Sequence, residues 1–168
     1  MIDVVGNHVG PVGTDYSKIT PFNRAEHYHD ICQIVDWNNQ WQVENCRLCD
    51  LPDLKQENEW ITNKLCEWIH DIVQKYDFNG IRINNMEVPK WFWDKFTSAA
   101  GLFQIGEAFD GNPGYVAGYQ GHVDSVFNYP LYYAIKDSFC GSMRNLENYW
   151  FNTRKYFPDP TYYIRSFC

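Results

Sequence analysis

Short apolar runs alternate along this chain with longer amphipathic stretches, and that order restricts the fold more than any other feature. Residues 1–5 form an apolar run closed by Gly6, Asn7 and His8, which reads as a strand delivering polar residues at its C-terminal end. From Glu57 onward Trp60, Ile61, Leu65, Trp68, Ile69, Ile72 and Tyr76 recur at helical spacing, and Asn79-Gly80 stops the run. Residues 81–83 are the next strand, and Pro89 opens a second helical pattern through Trp91, Phe92, Phe96, Ala99 and Ala100. Residues 102–105 and 123–127 read as strands, 130–156 as a helix and 162–167 as a last strand. Strand, helix, strand, helix in this order predicts an α/β fold with a parallel sheet, open or closed into a barrel. Asn7 and His8, then Asn84, then Glu107 and Asp110 follow strand C-termini, the face where a (β/α)8 barrel gathers its active site. An incomplete (β/α)8 barrel is therefore expected: about five strands are present, and a whole barrel takes about 250 residues.

Residues 9–55 break the alternation. They lack periodicity and are rich in Gly, Pro, Asn, Asp and aromatics, and so long an excursion in a compact domain is functional or locally folded. A disulfide or a metal ion is the kind of device that would hold it. The six cysteines, at 32, 46, 49, 66, 140 and 168, are many for a reducing compartment. Cys46 and Cys49 form a C-x-x-C, but no second one follows and no paired histidines stand at finger spacing, which weakens a zinc reading. Cys66 lies in the helical pattern and reads as a small buried hydrophobe.

Composition removes two function classes. The chain has 14 Lys+Arg against 21 Asp+Glu, a formal charge of -7, which argues against binding nucleic acid. No apolar run is long enough to span a membrane, and no signal-peptide pattern follows Met1. Aromatics are 18% of the residues, which fits either a large core or a cleft walled with rings.

One stretch poses a chemical question. In GIRINNMEV, residues 80–88, Arg82 is a charge inside an apolar run, and a buried guanidinium normally holds a carboxylate. The next polar residues outward are Asn84 and Asn85, both uncharged.

Together with DVVGNH (3–8) and GEAFDG (106–111), this stretch resembles three of the four short signature regions of the alpha-amylase family, glycoside hydrolase family 13. The connecting segments QVENC, LPDL, NEW, AAG and NYPLYY look like those of secreted fungal and protist alpha-amylases. The resemblance covers essentially the whole chain, from the third barrel strand to about the seventh. It implies a partial barrel from residues 1–8 and 56–168, with 9–55 as a calcium-binding insertion after the third strand.

By the same resemblance, the family reaction is endo-hydrolysis of α-1,4-glucosidic bonds in starch or glycogen with retention. Glu107 takes the place of the general acid/base, Arg82 that of the arginine orienting the nucleophile, and Asn84 that of the nucleophile itself. His8, Glu87, Asp110 and Gly111 match substrate-contacting positions, with Glu87 standing where the family has a lysine. The calcium ligands would be the side chains of Asn7 and Asp53 and the carbonyls of Glu44 and Val88, a mixture that suits calcium. Cys32 and Cys46 match a family disulfide, and the pairing of Cys49, Cys66, Cys140 and Cys168 is left open.

A retaining glycosidase needs two carboxyl groups, and here one of them is an amide. The expectation is an impaired enzyme in which Arg82 has lost its carboxylate, with a non-catalytic glucan-binding or structural paralogue as the alternative. The resemblance also implies an α-glucan partner, a monomer when full length, a secreted or lysosomal-type location, and a longer parent protein carrying the remaining strands.

Overall fold

The computed structural model describes residues 1–157. The expected strand at 162–167 and Cys168 lie outside the described residues. Four strands, β1 (Ile2–Val5), β2 (Gly80–Asn84), β3 (Phe103–Gly106) and β4 (Ser125–Val126), form one parallel sheet in the order β1-β2-β3-β4. Each strand therefore lies beside its neighbour in sequence, as successive strands of a barrel wall do. The register pairs Asp3 with Arg82, Arg82 with Ile105, and Ile105 with Ser125, so these four residues share one row across the sheet.

Strand periodicity sorts the two faces. Val4, Ile81 and Ile83 are fully buried on the face that carries the helices, whereas Arg82 and Asn84 alternate with them and are half-buried on the other. The helix α1 (Gln40–Asn45) belongs to the excursion; α2 (Glu59–Tyr76) and α3 (Lys90–Ala100) flank β2 in sequence. Asn58 caps α2 by accepting from the backbone N–H of Trp60, and Asp77 ends it in a left-handed conformation. The buried stripe of α2 is Ile61, Leu65, Ile69 and Val73, four residues at i, i+4 spacing, each contributing about 1.5–3 kcal/mol on burial. Phe92, Trp93 and Phe96 of α3 meet it, all fully buried.

The helical period is correct, but its aromatic members are displaced. Trp60, Trp68 and Tyr76 are exposed at 41%, 39% and 56%, and Trp60 stacks on His27 of the excursion instead of entering the core. Cys66 is only half-buried. The helix expected over 130–156 is two helices, α5 (Tyr129–Cys140) and α6 (Arg144–Tyr156), after a short α4 (Pro113–Ala117). Gly141 interrupts them, and the Ser142 hydroxyl accepts from the N–H of Arg144 to restart the chain.

Residues 9–55 are largely irregular, holding α1 and two single-turn 3-10 helices, Tyr16–Lys18 and Ala25–His27. A disulfide joins Cys32 to Cys46, while Cys49, Cys66 and Cys140 are free. The excursion is tied to the sheet by three short backbone segments. Val9 and Leu54 donate to the carbonyls of Pro52 and Asn7, and His29 and Lys55 donate to those of Asp53 and His27. Tyr16, Phe22, Tyr28 and Leu54 then join the same core as the helices. Among the described residues no helix is long and apolar enough to cross a membrane.

Candidate active site

The C-terminal ends of β1, β2 and β3 bring the polar residues together. Glu107 directly follows β3, and both its oxygens are engaged: Oε2 accepts from Arg82 Nη2 at 2.7 Å and Oε1 from the Tyr129 hydroxyl at 2.5 Å. Arg82 turns its other nitrogen to Asp3, Nη1 lying 3.0 and 2.8 Å from the two carboxylate oxygens. The guanidinium also lies 5.6 Å from the ring centroid of Phe127. Arg82 is thus not without carboxylates: it serves Asp3, its register partner on β1, and Glu107, and neither contact goes to Asn84. Burial, followed by the bond to Glu107, holds the Tyr129 hydroxyl well above the usual phenol range, so it is a fixed proton donor to Glu107.

His8 follows β1 and meets the turn after β2. Its Nδ1 lies 3.3 Å from the Val9 carbonyl and its Nε2 is 3.2 Å from the Asn85 amide nitrogen. Burial lowers its pKa, against a smaller raising effect of the Val9 carbonyl, so the neutral ring donates from Nδ1 and accepts at Nε2. Asn85 reaches it because its φ is +54°, a left-handed conformation that asparagine tolerates, and the chain turns sharply after β2. Asp110 is half-buried and caps its own loop by accepting from the N–H of Asn112, while Gly111 packs against Tyr133.

A second polar cluster lies where the excursion docks. The Asn7 amide donates to the Glu87 carbonyl at 2.7 Å. His29 bridges Asp53 Oδ2 (2.6 Å, from Nδ1) and Glu57 Oε2 (2.8 Å, from Nε2), linking the excursion to the residues leading into α2. Burial pulls the His29 pKa down, but hydrogen bonds and charge from both carboxylates outweigh it and carry it to about 9. Burial pushes Asp53 up to about 6, with His29 opposing, and pushes Glu87 up to about 7.

Whether these residues suit a cation is tested by their unused atoms. Asn7 Oδ1, Asp53 Oδ1 and Glu87 Oε2 are buried oxygens with no hydrogen-bond partner. Unpaired buried oxygens are costly, and hard cations take oxygen ligands of this mixed kind. The Glu44 carbonyl lies in the last turn of α1, where helix carbonyls lack intrahelical donors. Among the described residues no three His, Cys, Asp or Glu side chains gather at one metal-sized site, so the donor set is a mixture of amide, carboxylate and carbonyl. That set fits calcium.

Sequence reasoning missed Asp3, Asn85, His29 and Tyr129. Asp3 and Tyr129 stand inside motifs already singled out, DVVGNH and NYPLYY, but nothing local marks them as partners of Arg82 and Glu107.

No family model matches the chain. It is 39% identical over 142 residues to an alpha-amylase of Saccharomycopsis fibuligera, covering 79% of this chain and 29% of that protein. The solved alpha-amylase of Malbranchea cinnamomea superposes with a TM-score of 0.87 at 35% identity, over 95% of this chain and 36% of that one. The alpha-amylase of Geobacillus thermoleovorans, complexed with acarbose, gives 0.83 at 32% identity, over 94% of this chain and 37% of its own. The chain spans about a third of the length of these relatives.

Proposed function

From the premise that this chain is an alpha-amylase homologue matching part of the catalytic barrel, we propose that it carries the acid/base half of a retaining α-1,4-glucan hydrolase site whose nucleophile half is disabled. The observation that carries this reading is Glu107, anchored on both oxygens at the end of β3, beside a β2 end that presents an amide at position 84. Glu107 is the group that would protonate the leaving glycosidic oxygen. Arg82 and Tyr129 hold it in place, and His8, Asp110 and Gly111 are the sugar contacts in this reading.

Asn84 cannot finish the reaction. Retention requires a carboxylate that attacks the anomeric carbon and forms a glycosyl ester, and an amide is a very poor nucleophile. It also brings no negative charge to the oxocarbenium-like transition state. The charge that Arg82 would give such a carboxylate is spent on Asp3 and Glu107. The substrate class is α-1,4-glucan, the working form of the longer parent is a monomer, and its location is secreted or lysosomal-type, which the Cys32–Cys46 disulfide supports. Calcium would be held by Asn7 and Asp53 with the carbonyls of Glu44 and Val88; when bound it supplies positive charge that ties the excursion to the sheet.

The test is Asn84→Asp in the full-length parent, assayed by reducing ends released from soluble starch. Restoring the nucleophile is expected to raise hydrolysis by about 10³-fold or more over the parent. Equal, negligible hydrolysis in both proteins would overturn the disabled-enzyme reading. Retained binding to insoluble starch would then favour the second reading, a non-catalytic glucan binder, which the amide at position 84 already suits.

A further inference from the structure

We propose that the Glu87 carboxylate is itself a ligand of the bound cation, so that this site holds calcium with two carboxylates, Asp53 and Glu87, and the Asn7 amide oxygen. The proposal rests on the calcium reading above and extends it to a side chain that the resemblance places among the sugar contacts.

Glu87 is 6% exposed, so it is not presented to solvent as a sugar-binding residue would be. A carboxylate in such a place needs a cation or a set of donors. Its Oε2 has no hydrogen-bond partner, and among the described residues no Lys, Arg or His pairs with it. Arg82 is committed to Asp3 and Glu107, and the Lys90 ammonium lies over the Tyr119 ring, 4.9 Å from its centroid.

Two more buried oxygens are in the same state. The Asn7 amide nitrogen is fixed by the Glu87 carbonyl at 2.7 Å, which settles the amide's orientation and leaves Oδ1 as the free atom. Asp53 pairs in register with His8, next to Asn7, and after Glu107 it is the second like charge acting on Glu87. His29 occupies Asp53 Oδ2 and leaves Oδ1 without a partner. One amide oxygen and two carboxylate oxygens, all buried and all without a hydrogen-bond partner, thus belong to residues tied together by the Asn7–Glu87 bond and the His8–Asp53 pairing. A hard divalent cation satisfies the three at once, and the repulsion between Asp53 and Glu87 becomes shared attraction to it. The lysine expected at position 87 would bring a positive charge to the same spot. Glutamate reverses that charge and converts a sugar contact into a metal ligand.

The experiment strips the full-length protein of metal by chelation and titrates it with Tb³⁺, then displaces the Tb³⁺ with Ca²⁺. Luminescence is sensitised by the aromatics around Glu87, among them Tyr119. Glu87→Gln keeps the shape and removes the charge; Asp53→Asn does the same at the other carboxylate, and near-ultraviolet circular dichroism checks each fold. Because charge count tunes calcium affinity over decades, each variant is expected to bind Ca²⁺ more weakly by on the order of tenfold or more. If Glu87→Gln matches wild type while Asp53→Asn is weakened, Glu87 is not a ligand and the calcium reading survives. If neither changes the affinity, or wild type binds no Ca²⁺, the calcium reading falls and the proposal with it. Should Glu87→Gln fail to fold, Glu87→Asp decides: unchanged affinity overturns the proposal, and a weakened, folded protein upholds it.

Discussion

Replacing Gly106 by Ala tests how Glu107 is aimed. A methyl group at position 106 would overlap Met86 Sδ outright and come within 3.1 Å of its Cε and 3.3 Å of its Cγ. The backbone cannot retreat cheaply, because Gly106 pairs in register with Ile83 and Val126 and its carbonyl accepts from the N–H of Phe127 at 3.0 Å. Met86 cannot swing into solvent either: it is fully buried, and its own N–H donates to the Glu107 carbonyl at 3.0 Å. Overpacking of this kind costs about 1–3 kcal/mol. Removing the flexibility of a strand glycine offsets roughly 0.5–1 kcal/mol. The outright overlap with Met86 Sδ puts the cost in the upper half of its range, so a net loss of about 1–2.5 kcal/mol is expected, read from urea unfolding followed by tryptophan fluorescence. Met86→Ala alone should cost about 2–5 kcal/mol by leaving a cavity. In the double variant each change relieves the other, so its cost should fall short of the sum by at least about 1 kcal/mol. A Gly106→Ala protein as stable as wild type, or strictly additive costs, would refute the view that Met86 sets the position of the Glu107 backbone.

Two further outcomes are expected. Removing the Cys32–Cys46 disulfide with paired alanines should lower stability by about 2–4 kcal/mol, since the bridge closes a loop with a sequence separation of 14; an unchanged urea midpoint would count against it. His29 gives a pH dependence. Its folded pKa, about 9, is above its ordinary 6.5, so its contribution is full below pH 6.5 and is lost as the pH rises towards 9. Unfolding measured in chelator across that window should show the loss, and His29→Gln should abolish it; an identical slope in the variant would show that another group is responsible.

The residue pattern was enough to set the kind of fold and to put polar residues at the strand ends. Period-2 runs and i, i+4 apolar spacing are local properties, so the parallel order of strands and the stripe Ile61, Leu65, Ile69 were legible without coordinates. The motifs DVVGNH, GIRINNMEV and GEAFDG likewise placed His8, Asn84 and Glu107 at strand ends and Arg82 within a strand. Periodicity could not assign the tryptophans. It counts Trp60 as apolar, whereas the excursion offers it a stacking partner in His27 outside the core. Nor could it see the break at Gly141, where local capping by Ser142 competes with an otherwise continuous helical pattern.

Pairings between distant residues belong to the tertiary structure. Arg82 meets Asp3, 79 positions away, because two strands align in register; from the sequence its only visible partner was the missing carboxylate at position 84. The motif gives Glu87 as a sugar contact, and only packing shows that it is buried with its carbonyl bonded to the Asn7 amide. The sequence alone determined which charges this protein owns and which strand ends carry them. Only the fold decided which of those charges are paired and which buried oxygens are left without a hydrogen-bond partner, because strand register and burial act between segments that share no local pattern.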